Sequence, residues 1–428
     1  MTRPPTFLDA NFRTNDPTAV KPMSQGKAVA VFAVFACAYF LSTLIRAITA
    51  TLAPTLVQEF ALNARDLGLL AGAYFLGFAA IQLPLGKWLD RLGPKKVLLA
   101  FLSVAVVACF AFSMATNFLG LVSARMLCGV GVGACLMAPL TGYRRWFAPA
   151  NQMRANSWML MVGALGMVAS TLPVQWLLPL AGWRPMFMGL GVAVVLSMLF
   201  IAWQVPAWVT TSPSPQSDLA RASTVDSGYA EVWRNPYFRR LVPLGLFNYG
   251  GMVALQTLWA APWMIKVAGY SPVQAATGMF WINVAMLVAY WLWGLVNPWL
   301  ARHGFTGERL ITYGLPLSFV PLAIVVIAGS AVSEGAGALL LLFCVSSSVT
   351  AFAQPSVALA FQAELAGRAL SAYNLVIFCG VFTVQWGVGL LIDLFRNIGW
   401  SEVSAYQGAL GIFGMCCMGA YLYFLRAK

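Results

Sequence analysis

Acidic residues are scarce in this chain. Only 13 Asp and Glu stand among 428 residues, against 26 Lys and Arg, and charges of both signs make up 9% of the sequence. A soluble domain carries about a quarter charged residues, so this composition excludes a water-soluble globule and makes lipid the solvent. There is one histidine, His303, and no His, Cys, Asp and Glu cluster at metal-ligand spacing, so neither a metal nor another cofactor is expected. The eight cysteines form no CxxC pair, and Cys37, Cys109, Cys128 and Cys344 lie inside apolar runs, where they read as small buried residues. Phosphate-cradling glycine loops and nucleophile triads are missing too, so an enzyme is not expected.

What the chain does have is apolar length. It is 60% hydrophobic, with a mean hydropathy of +0.78. A bilayer core needs about 20 apolar residues per helix, and twelve such runs can be drawn, the second and third over 66–87 and 95–115. Six fall in 28–205 and six in 241–428. A polar tail over 1–27 precedes them, and a polar linker over 206–240, with Ser212-Pro213-Ser214-Pro215, separates the two sets. The reading is an all-α integral membrane protein of twelve transmembrane helices in two pseudo-symmetric six-helix bundles.

The net charge of +13 would suit nucleic acid in a soluble protein, but its distribution points elsewhere. Assigning Lys and Arg to alternate loops puts 20 on the side of the tail and linker and four (Arg65, Arg184, Lys266 and Arg396) on the other. By the positive-inside rule both termini and the linker are expected in the cytoplasm, with the lipid bilayer as partner and no nucleic acid.

Two cations fall inside spans, Arg46 in the first and Arg125 in the fourth. An arginine there costs about 2.5–3.5 kcal/mol on insertion scales and usually faces a cavity. Tyr39, Ser42, Thr43, Arg46 and Thr49 recur at helical spacing and form one polar stripe. Further polar positions in later spans are Asn248, Gln256, Gln354 and Asn374, with Trp259 expected on the same helix face as Asn248 and Gln256. Each amide reads either as a ligand contact or as an interhelical hydrogen bond. None of the 13 acids sits mid-span, so a cavity holding cations without anions favours a negatively charged ligand.

Gly86-Lys87-Trp88-Leu89-Asp90-Arg91-Leu92-Gly93-Pro94-Lys95-Lys96 resembles the loop between the second and third helices of major facilitator superfamily (MFS) transporters. The resemblance implies that Gly86, Asp90, Arg91 and Gly93 take part in conformational gating. Arg125-Met126-Leu127-Cys128-Gly129-Val130-Gly131 resembles the Arg-xxx-Gly-x-Gly pattern of that family's fourth helix, and Gly129 with Gly133 makes a GxxxG face. Gly182-Trp183-Arg184-Pro185-Met186-Phe187 is similar to the start of its sixth helix. In the second half the Gly294–Gly304 loop is a degenerate counterpart, with Pro298 where an Asp would fall.

Within the superfamily the first half resembles the organic anion:cation symporters, in which a first-helix Arg contacts a substrate carboxylate; Arg46 falls at that place. Tyr143-Arg144-Arg145-Trp146-Phe147 is similar to the end of their fourth helix. Ile45 and Val132 stand where those proteins carry the Asp and Glu that move protons. The resemblance implies a secondary active transporter of the cytoplasmic membrane that moves a small organic anion, a carboxylate, by alternating access. It would act as a monomer, with a proton or ion as possible co-substrate. The implied substrate set is Arg46, Arg125, Tyr39, Thr43, Asn248, Gln256, Gln354 and Asn374. Two other readings stay open on the residues alone: efflux of a hydrophobic or zwitterionic compound, and a non-transporting receptor on the same fold.

Overall fold

A computed structural model describes residues 23–208 and 229–426. Most of the polar tail and the 209–228 part of the linker, with its Ser-Pro repeat, lie outside the described residues. No strand occurs among those described. In lipid a helix satisfies its own backbone polar groups, which an open strand cannot do.

Ten helices are long and apolar enough to cross a bilayer, and an eleventh crossing is the pair Arg154–Ala169 and Leu172–Ala181, bent by 45°. The twelfth follows from Gly93. The helix Gln82–Met114 is interrupted there at φ 79° and ψ 161°, with Pro94 next. That backbone is strained for any residue with a Cβ, and proline suits the first turn of the helix after it. The chain therefore crosses once over 64–92, hinged at Ile81, and returns over 94–114.

The crossings are α1 (Gln25–Phe60), α2 (64–92), α3 (94–114), α4 (Phe118–Trp146), α5 (149–181) and α6 (Trp183–Gln204) in the first half. In the second half they are α7 (Pro236–Lys266), α8 (Pro272–Arg302), α9 (Gly307–Val332), α10 (Ala336–Leu359), α11 (Ala363–Asn397) and α12 (Glu402–Arg426). Residues 23, 208, 229 and 426 then share one face of the molecule, the terminal side; the other is the far side. Polar side chains start several helices: Asn63, Asn117 and Thr306 accept from the backbone N–H of Asp66, Gly120 and Arg309, satisfying donors the first turn leaves open.

The two halves repeat one neighbour pattern. In the first, α3 packs on α6 and α4, α2 on α4, and α1 on α5; in the second, α9 packs on α12 and α10, α8 on α10, and α7 on α11. Across the seam α2 meets α11, α5 meets α8, and α1 meets the 255–266 stretch of α7. These contacts map onto each other when the halves are exchanged, as expected of a two-fold pseudo-repeat.

The α2–α11 contact is the tightest part of the seam. A Cβ on Gly68 would collide with the Gln385 carbonyl, one on Gly389 with the Ala64 carbonyl, and one on Gly72 would press on the Phe382 ring. At the far side the Asp393 carboxylate of α11 accepts from the backbone N–H of Ala64 (3.2 Å) and Arg65 (2.8 Å). It thereby caps the start of α2 from the other half, where the helix dipole favours a negative charge. At the terminal side the Tyr229 hydroxyl reaches the Leu83 carbonyl at 3.5 Å.

Candidate functional site: an arginine among aromatic rings

The two intramembrane arginines have different surroundings. Arg125 is fully buried. Its Nη1 donates to the Ile45 carbonyl at 2.7 Å and its Nη2 to the Arg46 carbonyl at 2.9 Å, while its guanidinium lies 4.9 Å from the centre of the Tyr74 ring. It ties α4 to α1 directly beneath Arg46. The α4 face beside it is cut for close approach: a Cβ on Gly129 would strike the Tyr74 carbonyl, and one on Gly77 of α2 would strike the Met126 carbonyl.

Arg46 is half-buried. Its guanidinium sits over Phe78 at 5.4 Å from the ring centre, with Tyr39, Tyr74 and Tyr249 around it. Its Nε is buried with no hydrogen-bond partner, and the Tyr74 hydroxyl lies against the same guanidinium. Among the described residues no acidic side chain pairs with either arginine; the ion pairs found there are Arg65–Asp66, Arg184–Glu59, Arg240–Glu308 and the pairing of Lys266 and Arg396 with Glu402. A buried cation without a counter-ion leaves a strong field open to a ligand.

The structure brings Tyr39 to Arg46 but disperses the other members of the expected set. Thr43 bonds back to the Tyr39 and Phe40 carbonyls of its own helix. Asn248 donates to the Cys417 carbonyl of α12 at 3.2 Å, Gln256 to Asn283 of α8 at 2.9 Å, and Gln354 to Asn374 across α10 and α11 at 2.9 Å. Trp259 donates to the Gln385 carbonyl of α11. The spacing of Asn248, Gln256 and Trp259 predicts one face, yet they point to three different helices. The reason is local: α7 contains two π-helical stretches, Leu244–Tyr249 and Leu255–Trp259. Each widened turn inserts a residue and rotates the rest of the helix by about 100° relative to an α-helix. A 3₁₀ stretch, Ser348–Phe352, tightens α10 before Gln354 and shifts its register in the opposite sense.

Aromatic residues beyond the expected set complete the surroundings of Arg46. Tyr249, turned toward Arg46 while the adjacent Asn248 points to α12, sits against Tyr290 of α8. Phe78 packs on Phe378 of α11 with ring centres 4.4 Å apart, and Phe75 stacks on the same ring at 6.3 Å. Tyr249 follows an amide within a π turn, a segment type common at functional sites, but hydropathy alone carries no mark of it. Phe78 and Phe378 are indistinguishable in the sequence from the rest of the 28 phenylalanines.

In the Gly86–Lys96 loop the four expected gating residues behave differently. Gly86 is exposed within helix, with nothing near its absent Cβ, so the turn rests on Gly93 alone. Gly93 is buried against the Trp208 side chain, which also stacks under Arg145 at 4.6 Å. Lys95 donates to the Ala202 and Val205 carbonyls at 2.7 and 2.8 Å. The loop is thus docked on the end of α6 and the base of the linker, with Asp90 and Arg91 exposed at its edge. At the far side Glu59 at the end of α1 accepts from Trp183 at 2.6 Å and pairs with Arg184, so the Gly-Trp-Arg segment joins α1 to α6.

Twelve crossings in two halves with one neighbour pattern, meeting at a glycine-lined seam beside an unpaired arginine, define the two-bundle fold of membrane carriers. The chain belongs to the Major Facilitator Superfamily, whose pattern matches residues 35–385; this is a family of transporters, and the chain is a multi-pass membrane protein and not an enzyme. It is 27% identical over 307 residues to the "Probable sulfoacetate transporter SauU" of Cupriavidus necator, covering 68% of this chain and 69% of that one. It is 24% identical over 280 residues to the gallate transporter of Pseudomonas putida, covering 59% and 62%. A 4-hydroxybenzoate transporter of Acinetobacter baylyi is 28% identical over 155 residues, 36% of this chain and 34% of that one. In fold, a bacterial homologue of the human lysosomal transporter Spinster matches with a TM-score of 0.75 at 14% identity, over 95% of this chain and 98% of that one. A D-xylose–proton symporter matches with 0.73 at 15% identity, over 93% and 97%.

Proposed function

We propose that this protein carries a small organic anion across the cytoplasmic membrane by alternating access, with Arg46 as the charge partner of the anion. One observation carries the reading: Arg46 lies half-buried at the seam of the halves, with an unpartnered Nε and no acid beside it. The ligand's carboxylate or other anionic group would supply the missing counter-charge. Arg125 acts as a positioning residue, holding the α1 backbone under Arg46. The relatives named for sulfoacetate, gallate and 4-hydroxybenzoate support the same ligand charge. The 20 to four excess of Lys and Arg on the terminal side supports placing that side in the cytoplasm. The docked Gly93–Lys95 turn would move with α6 and the linker base as one body when the bundles rock. With no mid-span acid, coupling falls to a proton carried on the substrate, to anion exchange or to downhill flux.

Thermal unfolding of the purified protein with millimolar carboxylates, beside Arg46→Ala, tests the site. A ligand that binds the folded state raises Tm by mass action. Stabilisation by carboxylates in the native protein and its loss in the variant is expected; equal stabilisation of both proteins overturns the assignment.

A further inference from the structure

We infer that the Arg46 site selects a monoanion with an aromatic ring, in preference to a dianion or a hydroxyl-rich sugar acid. This rests on the reading of Arg46 as the anion's partner and adds what the rest of the ligand must be. Three observations lead there.

The first is the count of available charge. Arg125 is the nearest second cation, but it is fully buried and both terminal nitrogens are bonded to the Ile45 and Arg46 carbonyls. One guanidinium is left to face a ligand. A second negative charge would be desolvated with no cation to meet it, a cost of several kcal/mol for an ion in a protein interior.

The second is the state of the polar side chains. A sugar acid brings several hydroxyls, each needing a partner once it leaves water. The amide nitrogens of α7, α10 and α11 already donate, Asn248 to Cys417, Gln256 to Asn283, Gln354 to Asn374 and Gln385 to Thr257, and an open acceptor such as Gln385 Oε1 does not supply the several partners a polyol needs. Thr43 is bonded to its own helix. Binding a polyol would break such pairs without replacing them on the other side.

The third is the wall itself. Phe78 lies under the guanidinium, touches Phe378 across the seam and stacks with Tyr74 at 6.3 Å, while Phe75 stacks on Phe378. Tyr39 and Tyr249 face the same arginine. A ring attached directly to a carboxylate can place its anion on Arg46 and its faces and edges on these rings. Because Phe78 belongs to one half and Phe378 to the other, a bound ring would also touch both bodies that must move.

The test is binding to the full-length protein in nanodiscs, by calorimetry, of benzoate, cyclohexanecarboxylate, glucuronate and sulfoacetate. Benzoate is expected to bind most tightly, about fivefold above cyclohexanecarboxylate, the factor typical of an aromatic pair. Phe78→Leu should remove that margin, bringing benzoate to the affinity of cyclohexanecarboxylate. Arg46→Gln should abolish binding of all four. Tighter binding of glucuronate or sulfoacetate than benzoate, still lost in Arg46→Gln, overturns the aromatic class and leaves the anion site standing. Anion binding indifferent to Arg46→Gln overturns both. Should Phe78→Leu not fold, the ranking in the native protein decides the matter by itself.

Discussion

At the scale of single residues, Arg46 and Arg125 show how one side chain type takes opposite roles within a few ångströms. Both are costly in a membrane span. Arg125 offsets that cost with two carbonyls of α1 and the face of Tyr74, whereas Arg46 has aromatic faces and a free Nε. Replacing Arg125 by lysine keeps the charge but not a planar fork able to reach two carbonyls. Arg125→Lys is therefore expected to lower stability by roughly 1–3 kcal/mol and to weaken anion binding through the α1 backbone, read as a lower Tm with and without ligand. Arg46→Lys is expected to leave the unliganded Tm nearly unchanged and to weaken binding of a carboxylate, which a bidentate fork holds better than a point charge.

At the scale of helices, glycine contacts decide where the crossings can approach. Gly129 and Gly77 place α2 and α4 backbone to backbone, and Gly93 turns α2 into α3 against Trp208. A Cβ on Gly86, in the same segment, would meet open space. A set of alanine variants separates these roles by thermal unfolding. Gly86→Ala should stay within about 0.5 kcal/mol of the native protein. Gly129→Ala should cost roughly 1–3 kcal/mol, because the atom its Cβ meets is backbone and cannot swing away. Gly93→Ala should be at least as damaging, since it adds a collision with Trp208 to a backbone that L side chains avoid. An undamaged Gly93→Ala would refute the structural role of that turn.

At the scale of the whole molecule, the two halves are held together by the α2–α11 seam and locked at the far side by a carboxylate that caps its partner's helix. Asp393→Ala leaves the Ala64 and Arg65 N–H groups without that cap. These bonds are partly exposed to solvent, so their loss should be worth about 1 kcal/mol, a fivefold shift toward far-side opening. Above the labelling of native cysteines, a cysteine placed at Val57, in the roughly 310 Å³ far-side cavity that Asp393 also lines, should react faster with a membrane-impermeant maleimide in the Asp393→Ala background. An unchanged rate would mean that the Asp393 cap does not control access to that cavity. A protease site inserted within 209–228 tests the seam as a whole: after cleavage the halves should still elute together, because α2–α11, α5–α8 and α1–α7 contacts join them.

Hydropathy and charge along the chain are enough to place this protein in lipid, to draw twelve crossings, and to find two buried cations without embedded acids. Those are local sums, which each segment expresses whatever its neighbours are. The charged Gly86–Lys96 turn between the second and third crossings was legible, but only the structure puts its break at Gly93 and leaves Gly86 within helix. Which arginine stays open and which is tied became visible only in the folded molecule, because the carbonyls that bind Arg125 belong to a helix far away in the chain. The fate of the amides was settled there too. A regular α-helical count puts Asn248, Gln256 and Trp259 on one face, but two π turns in α7 redirect them to α12, α8 and α11 and turn Tyr249 toward Arg46 instead. Helix register and side-chain partners arise from packing between segments, and no count along a single segment contains them.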